Sequence, residues 1–263
     1  MTVSLSAAHT RAIVLDIEGT TTPIDFVYQV LFPFARAHVA SFLQREWNSA
    51  ACRETVALLM AEQAIDTEFL RAGVFDAQNM RRDGVRGVRL QPDLARDLTP
   101  ASVVDYVYWL MDRDRKSRGL KALQGLVWQD GYRSGELHGQ VYPDVPPALA
   151  RWHSRGLGTY IYSSGSVLAQ QLIFGSIGAG DLTKYLRGYF DTEIGPKTSA
   201  DSYRRIAEGV GVPPSEMLFV SDVPAELDAA RAADMRTALC VRSDAEVPAI
   251  AHPVIRTFDD IID

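Results

Sequence analysis

The sequence has 263 residues, of which 47% are hydrophobic and 23% charged, and its formal net charge at pH 7 is -6. This composition is typical of a globular protein with a substantial core, arranged as one large domain or as one domain with a second inserted in it. The negative charge gives no general basic field for nucleic acid or anionic lipid, so an anionic substrate needs local positive groups or a metal ion.

Cysteine usage and hydropathy point to the cytoplasm. The two cysteines, Cys52 and Cys240, are far apart in the sequence, which indicates reduced side chains and not a disulfide framework. No apolar run approaches membrane-spanning length, and the N-terminus lacks the charged-then-apolar form of a signal peptide. We therefore expect a cytoplasmic protein with no nucleic-acid and no membrane partner.

The first predicted strand runs from Ala12 to Leu15, four apolar residues of which two are β-branched. Asp16 and Glu18 follow it, and the chain then opens into a Gly/Thr loop. A strand that ends in a carboxylate places that group at the carboxyl edge of a sheet, where open α/β sheets bind ligands. Residues 1–10 are small and polar, and we expect them to be frayed.

The region from about residue 25 to 135 is predicted to be mostly helical. Asp25 is predicted to cap a helix from Phe26 to Trp47, and Thr99 followed by Pro100 gives a strong helix start. Further helices are predicted over 50–64, from about 67 and over 120–132, whereas the arginine-rich stretch 76–97 lacks periodicity and is expected to be irregular or to form short helices.

From about residue 145 onwards, strands and helices alternate. Strands are predicted at 158–163, 188–192, 217–221 and 237–241, with helices at 147–154, 166–172, 199–210 and 224–234. This alternation predicts an α/β fold with a doubly wound parallel sheet that also contains the first strand. We therefore expect residues 1–24 and 140–263 to form an α/β core and residues 25–139 to form a helical domain inserted after the first strand.

The candidate catalytic and ligand-binding residues lie near the ends of these strands. Asp16 and Glu18 follow the first strand, Asp222 follows the strand at 217–221, and Ser163 precedes a helix start. Paired carboxylates suit a hard cation such as Mg²⁺, and a hydroxyl beside the free N–H groups of a helix N-terminus suits an anion. Lys197 adds a positive charge after a Gly-Pro turn. Together these groups indicate phosphoryl transfer through an aspartyl phosphate.

Each of these residues also has an ordinary structural explanation. An Asp after a strand is usually a turn or cap residue, a Ser-Ser-Gly-Ser run is usually only a helix start, and a lysine after Gly-Pro is usually solvated. The joint occurrence of all of them at one predicted sheet edge favours the catalytic interpretation.

The same positions carry a family resemblance. The run DIEGTTTP that begins at Asp16, together with Ser163, Lys197 and Asp222, resembles the four motifs of the haloacid-dehalogenase-like phosphatases. Most of that superfamily has Asp at the second acidic position, where this chain has Glu18. The resemblance implies the fold of that superfamily, an α/β core with an inserted helical cap.

The departure at the second acid, together with the runs YIYSSGSV and YFDTEIGPK, resembles the enolase-phosphatase (acireductone synthase) branch of the superfamily. The similarity extends along nearly the whole chain, including residues 112–124 of the insert. It implies a Mg²⁺-dependent, bifunctional, monomeric enzyme of methionine salvage that acts on a small phosphate. Such an enzyme enolises 2,3-diketo-5-methylthiopentyl 1-phosphate and then removes the phosphate to give an acireductone.

Individual roles follow from the resemblance by position. It implies catalytic roles for Asp16 as nucleophile, Glu18 and Lys197, phosphate binding by Ser163, Ser164 and Lys197, and metal binding by Asp16, Glu18 and Asp222. Two functions stay open for Glu18 besides metal binding: the general acid/base of the phosphatase step, or the base that removes the α-proton in the enolisation.

Three other interpretations of the sequence compete with this one. The nearest is a capped phosphatase of the same superfamily that acts on another small phosphate ester. A dehalogenase is less well supported, because a metal-free hydrolase has little use for an acid at Asp222. A non-catalytic binding module that kept the fold would have no need of Asp16 and Lys197, both of which are present.

Overall fold

The computed structural model describes residues 2–6, 9–71, 98–178, 180–243 and 251–262. The strands in this part of the chain are β1 Val3–Ser4, β2 Ala12–Leu15, β3 Gly158–Tyr162, β4 Gly188–Phe190, β5 Met217–Ser221, β6 Arg236–Cys240, β7 Val254–Ile255 and β8 Ile261–Ile262. Its α-helices are α1 Ile24–Phe26, α2 Phe32–Glu46, α3 Ala50–Ile65, α4 Pro100–Asp112, α5 Arg118–Ser134, α6 Val145–Ser154, α7 Val167–Gly175, α8 Ala200–Val210 and α9 Pro224–Ala232. The prediction for residues 76–97 falls outside the described residues.

Six strands form one parallel sheet in the order β4-β3-β2-β5-β6-β7. Strand β2 lies inside it, with Leu15 opposite Ile161 of β3 and Val220 of β5. Every residue of β2 and β5 is buried, as expected of parallel strands that are covered on both faces. Because β3 and β4 lie on one side of β2 and β5 to β7 on the other, the strand order reverses at β2, the position where such folds bind ligands. The predicted α/β fold with a doubly wound parallel sheet is confirmed.

The chain folds into two compact units, Met1–Leu31 with Gly131–Asp263 and Phe32–Asp130. The sheet belongs to the first unit. Its apolar core is formed by the inner strands together with helices α8 and α9, and it includes the large buried rings of Tyr162, Tyr203 and Phe219. The carboxyl ends of the strands are therefore carried by a rigid, well-packed base.

The second unit is helical in its described residues, and side chains both near to and distant in the sequence define its helix starts. Thr99 and Ser102 cap α4 reciprocally, with each side chain accepting a hydrogen bond from the other's backbone N–H, which confirms the predicted start. The carboxylate of Glu62 in α3 accepts hydrogen bonds from the backbone N–H groups of Arg118 (2.9 Å) and Gly119 (3.1 Å) at the start of α5. These donors have no partner within their own helix, so the contact fixes α5 against α3.

The helix after the first loop does not begin as predicted. Pro23 is the cap residue before the first helical residue, Ile24, so Asp25 lies inside the first turn and not at the cap position. The prediction of Asp25 as the cap is therefore wrong, although an acid in the first turn still interacts favourably with the positive end of the helix dipole. A π-helical turn, Val27–Leu31, continues the helix into α2.

The first and last strands pair with each other. Strand β1 runs parallel to β8, with Val3 opposite Ile261, and Val3 and Leu5 are buried. The expectation of a frayed N-terminus is therefore wrong for residues 3–5. Two-residue strands are too short to give a periodic signal, and this pairing joins opposite ends of the sequence.

One described segment, Ile24–Glu46, is long and apolar enough to cross a membrane, with 23 residues and a mean hydropathy of 1.2. By this criterion the expectation that no run reaches such a length is wrong. Length and composition are weak evidence for a membrane span, because the core helices of globular proteins pass the same test.

Candidate active site

An acid and a lysine form a buried ion pair at the carboxyl edge of the sheet. Asp16 directly follows β2, and its Oδ1 accepts a hydrogen bond of 2.5 Å from Nζ of Lys197, which lies in the loop between β4 and α8. The two side chains are 3% and 10% exposed, so water and salt screen their attraction only weakly. The structure thus brings together the predicted nucleophile and the predicted positive charge.

Hydrogen bonds to three consecutive carbonyl oxygens hold the lysine loop. The hydroxyl of Tyr162 donates to the carbonyl of Gly195 (2.9 Å), that of Ser202 to Pro196 (2.8 Å), and that of Tyr203 to Lys197 (2.7 Å). These donors belong to β3 and α8, and all three of their side chains lie in the buried interior. The core therefore fixes the backbone position of Lys197, in addition to the bond within the loop from the backbone N–H of Ser199 to the carbonyl of Pro196 at 3.0 Å.

A second carboxylate shares the lysine. Glu226, in the first turn of α9, lies 2.7 Å from Nζ of Lys197 and accepts a hydrogen bond of 2.9 Å from Oγ of Ser221. The same Oγ accepts the backbone N–H of Val223 at 3.1 Å and lies 3.5 Å from Oδ2 of Asp16. Ser221 therefore joins the two carboxylates that flank the ammonium group.

The charges of the site do not balance within the protein. Burial raises the pKa of Asp16 to about 8, with Lys197 opposing the shift and the like charges of Glu18 and Glu226 adding to it. Burial also raises the pKa of Asp222, and Glu226 and Glu18 contribute to that shift. Burial works to lower the pKa of Lys197, but the attraction of Asp16 and Glu226 outweighs it and leaves this pKa above its usual value. Four carboxyl groups thus face one ammonium group.

The loop after β2 packs directly against the acid that follows β5. Gly19 has a φ of +70°, and a Cβ built on it would lie 2.2 Å from Oδ2 of Asp222. Glycine is required here both by the left-handed backbone and by the neighbouring carboxylate. The contact places Asp222 beside the loop that carries Asp16 and Glu18.

The predicted phosphate loop lies at the end of β3. Ser163 is fully buried, and its Oγ donates to Oε2 of Glu18 at 3.3 Å and accepts the backbone N–H of Gly165 at 3.1 Å. Ser166 caps α7 through its hydroxyl, as its place at the helix start requires. Ser164, also predicted to bind phosphate, is exposed on the same loop.

Sequence reasoning missed one residue that shapes this loop. Gln170 in α7 is fully buried, and its amide donates to the carbonyl oxygens of Gly165 (3.0 Å) and Phe190 (2.9 Å). It ties the loop after β3 to the end of β4. A glutamine within an apolar helix face is the one sequence signal that could have indicated it, since buried amides are retained where they make such bonds.

The donor chemistry of the site suits a hard divalent cation. Among the described residues, no three acidic, histidine or cysteine side chains already converge as a coordination group. The excess of carboxylates over lysine nevertheless favours a cation, because a bound positive charge would offset the repulsion and burial that raise the pKa of Asp16 and Asp222. Asp16, Glu18 and Asp222 supply the oxygen donors that Mg²⁺ prefers.

The fold and the carboxylate–lysine site define the class of protein. A family model described as haloacid dehalogenase-like hydrolase matches residues 10–234. Among solved structures, the UTR4 protein of Saccharomyces cerevisiae is similar, with a TM-score of 0.71 and 31% identity, and the alignment covers 95% of this chain and 99% of that one. CbbY of Rhodobacter sphaeroides, solved with xylulose-(1,5)bisphosphate, shares the fold at a TM-score of 0.51 and 15% identity, with 95% of each chain covered.

More similar sequences narrow the class. Enolase-phosphatase E1 of Synechococcus elongatus is 46% identical over 250 residues, covering 95% of this chain and 96% of that protein. Enolase-phosphatase E1 of Klebsiella pneumoniae is 44% identical over 254 residues, with the same shares covered. The chain belongs to the enolase-phosphatase family of the haloacid-dehalogenase-like hydrolases.

Proposed function

We propose that this chain is a bifunctional enolase-phosphatase, an acireductone synthase of methionine salvage. The substrate is 2,3-diketo-5-methylthiopentyl 1-phosphate, which is enolised and then dephosphorylated to the acireductone. The observation that carries the proposal is the buried pair of Asp16 and Lys197, with Glu18 and Ser163 in contact beside it. Family membership and the identity of 46% to an enolase-phosphatase E1 support the particular reaction.

In the phosphatase step Asp16 is the nucleophile. Oδ2, the carboxylate oxygen that is not bonded to Lys197, attacks phosphorus, the P–O bond to the enolised substrate breaks, and an aspartyl phosphate forms. Water then cleaves this acyl phosphate, which releases inorganic phosphate and regenerates the carboxylate. Lys197 and the hydroxyls of Ser163 and Ser164 bind the phosphate oxygens and stabilise the charge that develops on them.

We infer that Mg²⁺ is the cofactor and that Asp16, Glu18 and Asp222 would hold it. When bound, Mg²⁺ supplies positive charge to the phosphate oxygens and to a developing enediolate. The contact of 2.7 Å between Glu226 and Nζ of Lys197 would retain the ammonium in place when Asp16 is engaged with phosphorus.

In the enolisation step a proton is removed from the carbon next to a carbonyl. Glu18 lies beside the predicted phosphate loop, where its Oε2 accepts a hydrogen bond of 3.3 Å from the hydroxyl of Ser163. We propose that it is either the base for this proton or the acid/base of the phosphatase step. We also propose that residues 25–139 act as a cap on a core of residues 1–24 and 140–263.

One assay with two signals tests the function. The diketone phosphate is mixed with the enzyme, and the absorbance of the enol and the release of free phosphate are followed together, with and without Mg²⁺. The expected result is an enol signal that precedes phosphate, with both signals lost on chelation and restored by Mg²⁺. Phosphate release without an enol signal would leave only a phosphatase for another small ester, and activity indifferent to a chelator would rule out the metal site.

The remaining assignments rest on the family resemblance. We propose that the enzyme works as a monomer in the cytoplasm and acts on a small-molecule phosphate. Its net charge of -6 is consistent with a soluble enzyme that has no nucleic-acid or membrane partner.

A further inference from the structure

Arg242, which follows β6, is a buried cation at the same edge of the sheet as the candidate active site. Its side chain is 9% exposed and forms an ion pair of 2.7 Å with Oδ2 of Asp144. The guanidinium lies between two aromatic rings, 4.3 Å from the centroid of Tyr142 and 4.7 Å from that of Phe258. None of the catalytic or binding roles proposed above uses this residue.

The guanidinium is bonded to the loop that carries the nucleophile. Both Nε and Nη2 of Arg242 donate to the backbone carbonyl of Thr20, at 2.9 and 2.6 Å. Nη1 donates to Asp144 and to the carbonyl of Arg256 at 3.3 Å. The guanidinium has five N–H bonds, and these four hydrogen bonds use four of them.

Most of the other bonds of the nucleophile loop are internal. The backbone N–H groups of Thr20, Thr21 and Thr22 all donate to the carbonyl of Ile17, and the hydroxyl of Thr21 donates to the carbonyl of Asp16. Such a set fixes the shape of the loop. The backbone N–H of Asp16 holds the first residue to the sheet by donating to the carbonyl of Val220 at 3.0 Å, but the internal set does not fix the position of the threonines that follow. Contacts that leave the loop set that position.

Two contacts that leave the loop come from Arg242 and from Tyr142, whose ring lies against the guanidinium. The carbonyl of Thr20 is held by Arg242, and the carbonyl of Thr21 accepts the backbone N–H of Tyr142 at 3.0 Å, whose ring covers the guanidinium. Asp144 also accepts the backbone N–H of Phe258, the second ring of the pair. Arg242 therefore joins the nucleophile loop to the segments at 142–144 and 256–258.

Loss of the hydrogen bonds between Arg242 and Thr20 is expected to let the nucleophile loop move. The Oγ1 atoms of Thr20 and Thr22 are buried, and within the described part of the chain they have no hydrogen-bond partner. Buried polar atoms without partners are costly, so a loop that contains two of them would relax towards water once released. Arginine suits this role better than lysine for two reasons. Two of its N–H groups donate to one carbonyl oxygen, and its flat guanidinium packs against aromatic rings.

From these contacts we propose that Arg242 is a positioning residue of the active site, which sets the place of Asp16 through the carbonyl of Thr20. The proposal rests on the function proposed above, in which Asp16 attacks phosphorus. It predicts that loss of the guanidinium reduces the rate of chemistry in correctly folded enzyme while substrate binding, which depends on Ser163 and Lys197, changes little.

The experiment compares Arg242→Lys with a matched control, Arg151→Lys. Arg151 of α6 donates to the carbonyl of Phe258 at 3.0 Å, so the control removes a guanidinium that contacts the same C-terminal segment, while its bonds in the described part of the chain do not include the nucleophile loop. Steady-state kinetics are measured with saturating Mg²⁺ on protein whose folding is checked by circular dichroism. We expect Arg242→Lys to lower kcat by about 10- to 100-fold with KM within about twofold of wild type, and the control to leave both unchanged.

Chemical rescue separates positioning from general loss of structure. In Arg242→Ala, millimolar guanidinium should restore part of kcat by occupying the space between the two rings, while Asp16→Asn under the same conditions should gain nothing. Should neither Arg242 variant fold, Asp144→Asn carries the test, because it weakens the hold on the guanidinium and should lower kcat in the same direction but less.

A normal kcat in folded Arg242→Lys, a rise in KM alone, or an equal loss in Arg151→Lys would overturn the proposal. An absence of rescue in folded Arg242→Ala would also count against it. These results differ from failure of the proposed function, in which the wild-type enzyme itself would release no phosphate from the diketone substrate.

Discussion

Replacing Gly19 by alanine tests how closely the nucleophile loop and Asp222 depend on each other. The new Cβ would lie 2.2 Å from Oδ2 of Asp222, whereas ordinary contacts begin at 3.4 Å, so the loop and the carboxylate must separate by about 1.2 Å. A displacement of this size at reacting groups is enough for a loss of about 100-fold in rate. We therefore expect Gly19→Ala to lower kcat by about two orders of magnitude.

A second cost of the same substitution has to be measured separately. Gly19 has a φ of +70°, and a non-glycine residue in this region costs about 1–2 kcal/mol. Gly211, at the end of α8, provides the control, because its φ is +72° but nothing lies within 4 Å of the place that a Cβ would occupy there. Gly211→Ala should lower the unfolding temperature by about 2–4 °C for each kcal/mol while leaving kcat unchanged.

The assay is steady-state phosphate release at saturating Mg²⁺, with thermal unfolding of each variant followed by circular dichroism. The two variants should show a similar backbone penalty, and Gly19→Ala alone should lose activity. If Gly19→Ala kept a kcat within about twofold of Gly211→Ala, the contact with Asp222 would have no catalytic consequence, and the reasoning about this side of the site would be refuted.

Two further substitutions address the carboxylates around Lys197. Asp16→Asn should abolish turnover, by at least about 10⁴-fold, because the amide cannot form the acyl phosphate, and thermal unfolding should show a fold that remains intact. Full activity in this variant would exclude a covalent mechanism. Glu226→Gln removes a negative charge 2.7 Å from Nζ of Lys197 and should raise the Mg²⁺ concentration for half-maximal activity by about 10-fold, as titration of activity with Mg²⁺ would show. An unchanged Mg²⁺ dependence would mean that Glu226 has no influence on the metal site.

The parts of the fold that could be predicted were those with a strong local signal. A run of apolar residues such as Ala12–Leu15 can be satisfied only by a buried strand, and Thr99 followed by Pro100 specifies a helix start through its own backbone chemistry. Asp25 shows the limit of local reasoning, because an Asp is a good capping residue but Pro23 had already fixed the start of the helix.

The site could be predicted as a set of residues but not as a network. Asp16 and Asp222 were found because each ends a predicted strand, and parallel strands bring their ends to one edge. The contacts that hold the set together join residues far apart in the chain, such as Gln170 with Phe190 and Arg242 with Thr20. No periodicity or spacing encodes such pairs, so the positions that adjust the geometry of the site became evident only in three dimensions.

The attachment of the lysine loop by its carbonyl oxygens has a consequence for how this enzyme can change. Tyr162, Ser202 and Tyr203 bond to peptide groups, which every amino acid possesses, and so they constrain the path of residues 195–197 without specifying their side chains. The cation at position 197 can therefore be exchanged for another group while the main chain beneath it keeps its course. Loss of the phenol of Tyr162 or Tyr203 would have the opposite effect, because the ammonium group of Lys197 would be unchanged chemically but would move to a different position.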